Sequence, residues 1–266
     1  FFHWRAGVRT SSRWHASADE VLRRWVRDPT FLKMAAARVQ RAHSGRLAPA
    51  KLVAETVRMN SALFTVTHFR ASVAKYFAEL VGARRVLDFS AGWGDRLTGF
   101  MAAPVVRHVT LIDPRASSIT ACRKQHAFVR SDVTLVTYQE GAETALKRVP
   151  ARSVDLVLSS PPYVDLERYG TGGADDTGQI RHKVGDSSDE YIRVFLRPVV
   201  RECARILVNG GTLVVNLDDN ERAGVRICQP FLDAVRDTPG LELWGTVGLQ
   251  KRGGVGACGQ VLVAEP

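Results

Sequence analysis

The chain has 266 residues, 45% apolar and 24% charged, a balance that buries a sizeable core and excludes a disordered or fibrous polymer. Its net charge of +10 calls for a polyanionic partner, most often nucleic acid. Cys122, Cys203, Cys228 and Cys258 are scattered with no C-x-x-C pair, which argues against a zinc site or a disulfide framework and fits a reducing, intracellular compartment.

The charge is uneven. Residues 1–70 hold 13 Lys or Arg against 4 Asp or Glu, so nearly all of the excess sits there. Residues 1–84 are expected to be a basic helical segment. Ser17 and Glu20 form a capping-box pattern before VLRRWV, and Asp28-Pro29 ends that helix. TFLKMAAARVQRAH follows and stops at Gly45, Pro49 opens another helix, and RASVAKYFAEL runs to Gly82. Trp4, Trp14 and Trp25 lie among arginines, where they either pack the segment or stack on bases. Phe1 opens the chain in place of Met, which leaves room for an upstream segment.

From Arg85 short apolar runs alternate with helical stretches. RVLDF, HVTLID, VTLVTY, VDLVLS and TLVVNL are the expected strands; GDRLTGFMAA, ASSITACRKQHAFV, GAETALKRV and DEYIRVFLRPVVRECARIL are the helices between them. Such alternation makes a parallel sheet covered on both faces. LELWGTVGLQ and GQVLVAEP are expected to close it as an antiparallel hairpin edge. Residues 85–266 are therefore expected to form an α/β core. Residues 164–188, with five glycines, form one irregular loop within it, of a length that is usually functional or disordered. No apolar run approaches about 18 residues, so no membrane span is expected.

Two constellations carry chemistry. The first strand ends in Asp88 and Phe89, followed by Ser90, Ala91, Gly92, Trp93 and Gly94 and then a helix. Glycines there let the backbone turn sharply and approach a ligand. The second strand ends in Asp113-Pro114, and an acid at that place takes ribose hydroxyls. A dinucleotide fingerprint would read G-x-G-x-x-G without the leading acid. Asp88 opposes a pyrophosphate but suits an amino-acid ammonium, which points to S-adenosylmethionine. Glu140 and Gly141, at the third strand's end, are candidates to edge the adenine.

The fourth strand stops at Ser159, expected to border the cofactor, followed by Ser160, Pro161, Pro162 and Tyr163. Its carboxyl end falls beside the cradle, at the sheet's switch point. The prolines donate no hydrogen bond and leave carbonyls free as acceptors. Two acceptors on the N–H bonds of an exocyclic amine draw its nitrogen towards a tetrahedral geometry and free its lone pair. The Ser160 hydroxyl and a proline carbonyl suit that task, Tyr163 offers a stacking face, and positioning then carries the catalysis.

With LDFSAGWGD and SPPY together, the chain resembles the class I methyltransferases, and in particular the amino-methyltransferases acting on DNA bases, whose S-P-P-Y form resembles the cytosine-N4 branch. The likeness extends through YVDLERYG, GQI and GGTLVVNLDD and covers roughly residues 65–265. It implies a Rossmann-like sheet of seven strands with an antiparallel C-terminal edge. It also implies S-adenosylmethionine held by Asp88, Gly92, Gly94 and Asp113, and a target base at residues 160–163. Three features depart from the pattern: the cofactor motif precedes the catalytic one, Trp93 is bulky, and no stretch is long enough for a separate target-recognition domain. DNA is the first substrate expected, cytosine N4 before adenine N6. RNA and protein amide methyltransferases use similar motifs, usually with Asn or Asp first. A non-catalytic nucleic-acid-binding factor that keeps the fold is the rival of another class.

Overall fold

A computed structural model of the chain describes residues 69–129, 132–162, 187–219, 226–250 and 258–265, with isolated positions outside these ranges. The chain divides into two units, Phe1–Thr67 with Leu166–Gly173, and His68–Asp165 with Ala174–Pro266. In the first, Arg9 and Thr10 pair antiparallel with Arg168 and Glu167. The described helical positions there, Arg27, Lys33, Ala37, Gln40 and Arg41, are exposed. The three tryptophans and the expected helix caps of that segment lie outside the described residues.

The second unit is built on a sheet. Its strands are β1 (Arg85–Asp88), β2 (His108–Ile112), β3 (Thr134–Tyr138), β4 (Val154–Ser159), β5 (Leu207–Leu217), β6 (Glu242–Gln250) and β7 (Cys258–Glu265). They lie in the order β3-β2-β1-β4-β5-β7-β6. The first five are parallel, and β7 runs antiparallel to both β5 and β6. The mostly parallel α/β architecture follows from the alternation read in the sequence.

The hairpin does not add its strands in chain order. Its later strand, β7, sits against β5 and leaves β6 at the edge. The composition accounts for this. VLVA in β7 is a continuous apolar run suited to an interior place, whereas β6 carries Glu242, Gly245 and a Trp244 that is 72% exposed.

Period-two burial divides the core between the two faces. Leu87, Val157, Leu213 and Val215 join one apolar cluster. Val86, Leu156, Leu158 and Val214, offset by one residue, join the other. Helices α1 (Ala71–Leu80), α2 (Asp95–Met101) and α3 (Ala116–Val129) contribute Ala74, Leu97 and Cys122 to the second cluster. The first takes α4 (Ala142–Ala145), α5 (Ser188–Tyr191), α6 (Arg197–Ile206) and α7 (Cys228–Arg236).

Two boundaries differ from expectation. The basic segment was expected to run to residue 84, yet α1 belongs to the sheet unit. Its Ala74, Phe77 and Ala78 are buried. Gly99 of α2 admits this approach, because a Cβ there would strike the Ala71 carbonyl and lie 2.8 Å from the Ala74 Cβ. The loop at 164–188 was expected within the core, yet residues 166–173 group with the first unit, where Glu167 and Arg168 pair with Thr10 and Arg9. The long helix read over 189–207 is interrupted by a π turn at Ile192–Leu196. Pro198 lies just beyond it and has no N–H to return to Val194, so the helix relaxes there.

Candidate active site

The carboxyl ends of β1 and β4 are neighbours, and the chain leaves them on opposite sides, to β2 from one and to β5 from the other. This is the switch point at which open α/β sheets bind ligands. A cleft of ≈ 800 Å³ opens at the other end of the sheet, beside Arg84, Arg85, Arg107 and His108. It holds none of the residues singled out above.

Asp88 organises the switch point. Its side chain is wholly buried. Oδ1 accepts the Ser90 N–H at 3.1 Å and the Ser159 hydroxyl at 2.8 Å. Oδ2 accepts Arg96 Nε at 2.7 Å. Arg96 also donates from Nη2 to the Ser90 carbonyl, and its guanidinium lies 5.2 Å from the centre of the Phe69 ring. Asp88 was expected to meet an ammonium group. Its protein partners close the cradle loop from beneath and fasten it to the end of β4, and Oδ2, with one donor, keeps a lone pair for another.

The loop above has the geometry its glycines imply. Gly92 and Gly94 adopt φ +53 and +78. The Ala91 N–H donates to the Ile112 carbonyl at 2.9 Å, anchoring the loop to β2. A Cβ on Gly92 would meet only the Ser90 carbonyl, at 3.7 Å, so the space over it is open. Gly94 is packed instead: a Cβ there would strike the Gln125 amide oxygen and come within 3.2 Å of the Cys122 thiol, both on α3. Gln125 also donates to the Gly94 carbonyl at 3.2 Å. Gly94→Ala is therefore expected to lower stability by about 1–3 kcal/mol, from left-handed strain and the displaced amide. Urea unfolding midpoints compared with wild type check this. Burial pushes the Cys122 thiol up to about 12, which makes it packing rather than chemistry.

Asp113 sits at the end of β2, 8% exposed. Oδ2 accepts the Gly92 N–H at 2.8 Å and Oδ1 the Arg115 N–H at 2.9 Å. Burial raises its pKa to about 6, against the downward pull of those two N–H groups. Each carboxylate oxygen keeps lone-pair capacity for a further donor, as a ribose diol requires. Pro114 is half-buried beside it.

The other expected residues are distributed unevenly. Phe89 was expected in the cradle, but its side chain is 3% exposed and packs in the core, because the residue after Asp88 faces the opposite side of the sheet. Only its backbone is left to line a ligand. Glu140 pairs with Arg148 at 2.6 Å, and that guanidinium lies 4.9 Å over the Tyr138 ring. Gly141 caps α4, and a Cβ there would press on the Glu143 carboxylate, so it serves local packing.

At β4, Ser159 faces inward to Asp88, and Ser160 is the first residue beyond the strand. The Ser160 hydroxyl accepts the Asn216 side-chain N–H at 3.3 Å. Pro161 is buried beside Phe195, Val199 and Phe231, which fixes the direction of the turn. Pro162 is half-buried, and Tyr163 lies outside the described residues. No group of three or more His, Cys, Asp or Glu suited to a metal occurs among the described residues. Nor is any helix among them long and apolar enough to cross a membrane.

Two partners went unnoticed in the sequence. Arg96 had a signal: a cation in the first turn of α2 opposes the helix dipole and needs a carboxylate nearby. Asn216 had a weaker one, a single amide inside the run TLVVNL.

Comparison with known proteins agrees with this layout. Among solved structures, a putative rRNA-methylase from Clostridium thermocellum superposes with a TM-score of 0.51 at 12% identity, covering 75% of this chain and 99% of that one. The fold is that of the Rossmann-like methyltransferases. The PH0226 protein of Pyrococcus horikoshii superposes similarly, with a TM-score of 0.50 at 12% identity, over 73% of this chain and 88% of that one. In sequence, the chain is 32% identical over 114 residues to the type II methyltransferase M.Cfr9I of Citrobacter freundii, covering 42% of this chain and 35% of that protein. It is 31% identical over 137 residues to the release factor glutamine methyltransferase of Deinococcus radiodurans, covering 50% and 45%. The chain thus spans less than half the length of either curated relative. No protein-family model matches it.

Proposed function

We propose that the protein is an S-adenosylmethionine-dependent methyltransferase that modifies an exocyclic amino group of a nucleic-acid base, cytosine N4 first and adenine N6 second, in DNA. The observation that carries this reading is the hydrogen bond from Ser159 to Asp88. It fastens the Ser-Pro-Pro turn to the floor of the nucleotide cradle, so a donor on one side and an acceptor amine on the other share a single site. The methyltransferase fold and the two curated relatives named methyltransferases support the reaction class.

The residues divide the work. Asp113 takes the ribose hydroxyls, Gly92 and Ser90 leave the loop open to the cofactor, and the Asp88–Arg96 pair keeps that loop in shape. When bound, S-adenosylmethionine supplies an electrophilic methyl group on its sulfonium. Ser160 Oγ and a proline carbonyl of the turn accept the N–H bonds of the target amine and hold its lone pair towards that methyl. Tyr163 stacks on the base. Pre-set dipoles do this without a strong base, and the proton that the nitrogen sheds on methylation passes to water. Residues 1–70, with their excess of Lys and Arg, hold the phosphate backbone. Ser160 at the motif's first position favours a base over a protein amide. The likeness to a release factor glutamine methyltransferase favours the amide and keeps it as the second reading.

Methyl-labelled S-adenosylmethionine incubated separately with duplex DNA, single-stranded DNA, RNA and a glutamine-containing peptide tests the proposal. Label in DNA supports it. Label confined to the peptide overturns the nucleic-acid substrate, and tight cofactor binding with no label in any arm points to a non-catalytic binding factor.

Asp113 predicts a pH dependence. Its raised pKa means the carboxylate is lost as pH falls through about 6. Cofactor affinity should then weaken by up to about tenfold per pH unit below that point. The folded protein shifts the other way. A carboxyl whose folded pKa is raised adds stability below its unfolded pKa and loses that stability as pH rises through about 6. Calorimetric titrations from pH 7.5 to 5 check the first trend. A flat affinity would exclude Asp113 as a cofactor ligand.

A further inference from the structure

We propose that Asn216 is a positioning residue for the transfer: its amide N–H holds the Ser160 hydroxyl so that one oxygen lone pair faces the acceptor amine. The role rests on the reading of Ser160 given above. It follows from the register of the sheet. β4 and β5 run parallel with Ser159 opposite Val215, so the next positions on the two chains are Ser160 and Asn216. At that step β4 has ended, whereas β5 continues to Leu217 and Asn216 is paired with Val261 of β7. Ser160 therefore stands at the mouth of the site without a ladder partner on β5, and Asn216 is fixed in one.

A serine hydroxyl rotates among staggered wells, and its acceptor lone pairs turn with it. A donor arriving from a fixed strand selects one well. The Asn216 Nδ2 to Ser160 Oγ contact is 3.3 Å, at the long end for such a bond. Catalytic hydrogen bonds are commonly long before substrate arrives and tighten in its presence. The flanking residues strengthen the case. Val215 and Leu217 are 1% and 0% exposed and lie in the apolar core, while Asn216 is half-buried on the opposite face, at the carboxyl end. An amide in an apolar strand costs stability unless it is hydrogen-bonded, and the Ser160 hydroxyl is a partner that puts the bond to use.

The amide also limits what Ser160 can do. With one lone pair taken by Asn216, the hydroxyl has one left for an N–H of the target and keeps its own proton for a neighbouring acceptor. Asn216 itself touches neither base nor cofactor in this account.

The test is steady-state kinetics on the full chain with Asn216→Ala and the isosteric Asn216→Asp, on whichever amine the wild type methylates. Asn216→Ala should lower kcat by about 10- to 100-fold, with the substrate KM and cofactor Kd within about twofold of wild type. Asn216→Asp should be equally impaired at pH 8, where its carboxylate has no proton to donate. It should recover as pH falls at saturating cofactor, because the protonated acid regains the donor. A purely structural residue would not produce that pH profile. Unchanged kcat in Asn216→Ala, or a parallel rise of KM and Kd with a fall in Tm in both variants, overturns the positioning role while the proposed function stands. A wild type that labels no amine overturns the function itself, and this role with it.

Discussion

Ser160→Ala is expected to lower kcat by at least about 100-fold and to leave the cofactor Kd unchanged within about twofold. The asymmetry follows from what each serine touches. Ser159 is bonded to Asp88 inside the protein, and Ser160 to Asn216 at the surface of the site. Removing the Ser160 oxygen leaves the cradle, its ion pair and the buried Pro161 anchor in place. Under the proposed function, what is lost is an acceptor for an amine whose lone pair is delocalised into a ring. A well-placed dipole of that kind is worth roughly 3–4 kcal/mol in a site that needs no reorganisation. Single-turnover rates with saturating cofactor, beside calorimetric titration of the same variant, separate the two quantities. A Ser160→Ala protein that methylates at the wild-type rate would remove Ser160 from the chemistry.

Arg96→Met is expected to be the most destabilising substitution in the cradle. It leaves the Asp88 carboxylate wholly buried without its cation, and removing one member of such a pair costs about 3–5 kcal/mol. For a sheet unit of this size each kcal/mol moves Tm by roughly 2–4 °C, so a drop of about 10 °C is expected. Cofactor binding should weaken as well, because Arg96 also holds the Ser90 carbonyl. The double variant Arg96→Met/Asp88→Asn removes the stranded charge and should recover part of the lost Tm. Thermal melts of wild type, both single variants and the double variant form the cycle. Additive losses would mean that Asp88 and Arg96 are not coupled, and the loop would then owe its shape to the glycines alone.

The sheet was legible because its signals are local and redundant. RVLD, HVTLI, TLVTY and VDLVLS each end within a residue or two of where the apolar runs stop. Asp88, Asp113 and Ser160 could be read as neighbours because a parallel sheet puts all its carboxyl ends on one side. What the sequence did not show depends on what a residue meets across the fold. Asp88 reads in the sequence as a ligand-binding acid, and only the fold adds that Arg96, eight residues on, bonds it as well. The place of β7 inside β6 is a choice between two possible partners for β5. The start of the sheet unit at 68 rather than 85 depends on Gly99 admitting α1, a contact no periodicity reports. Asn216 gains meaning only from the register that sets it beside Ser160.

The most direct measurement of the central claim is the chemical identity of the product. Nucleic acid methylated with labelled cofactor is digested to nucleosides and resolved by mass spectrometry. An acceptor hydroxyl that draws out the lone pair of an exocyclic amine predicts N4-methylcytosine, or N6-methyladenine in second place. A methyl group on a ring carbon or on a sugar oxygen would contradict it, because neither atom carries an N–H for Ser160 to accept.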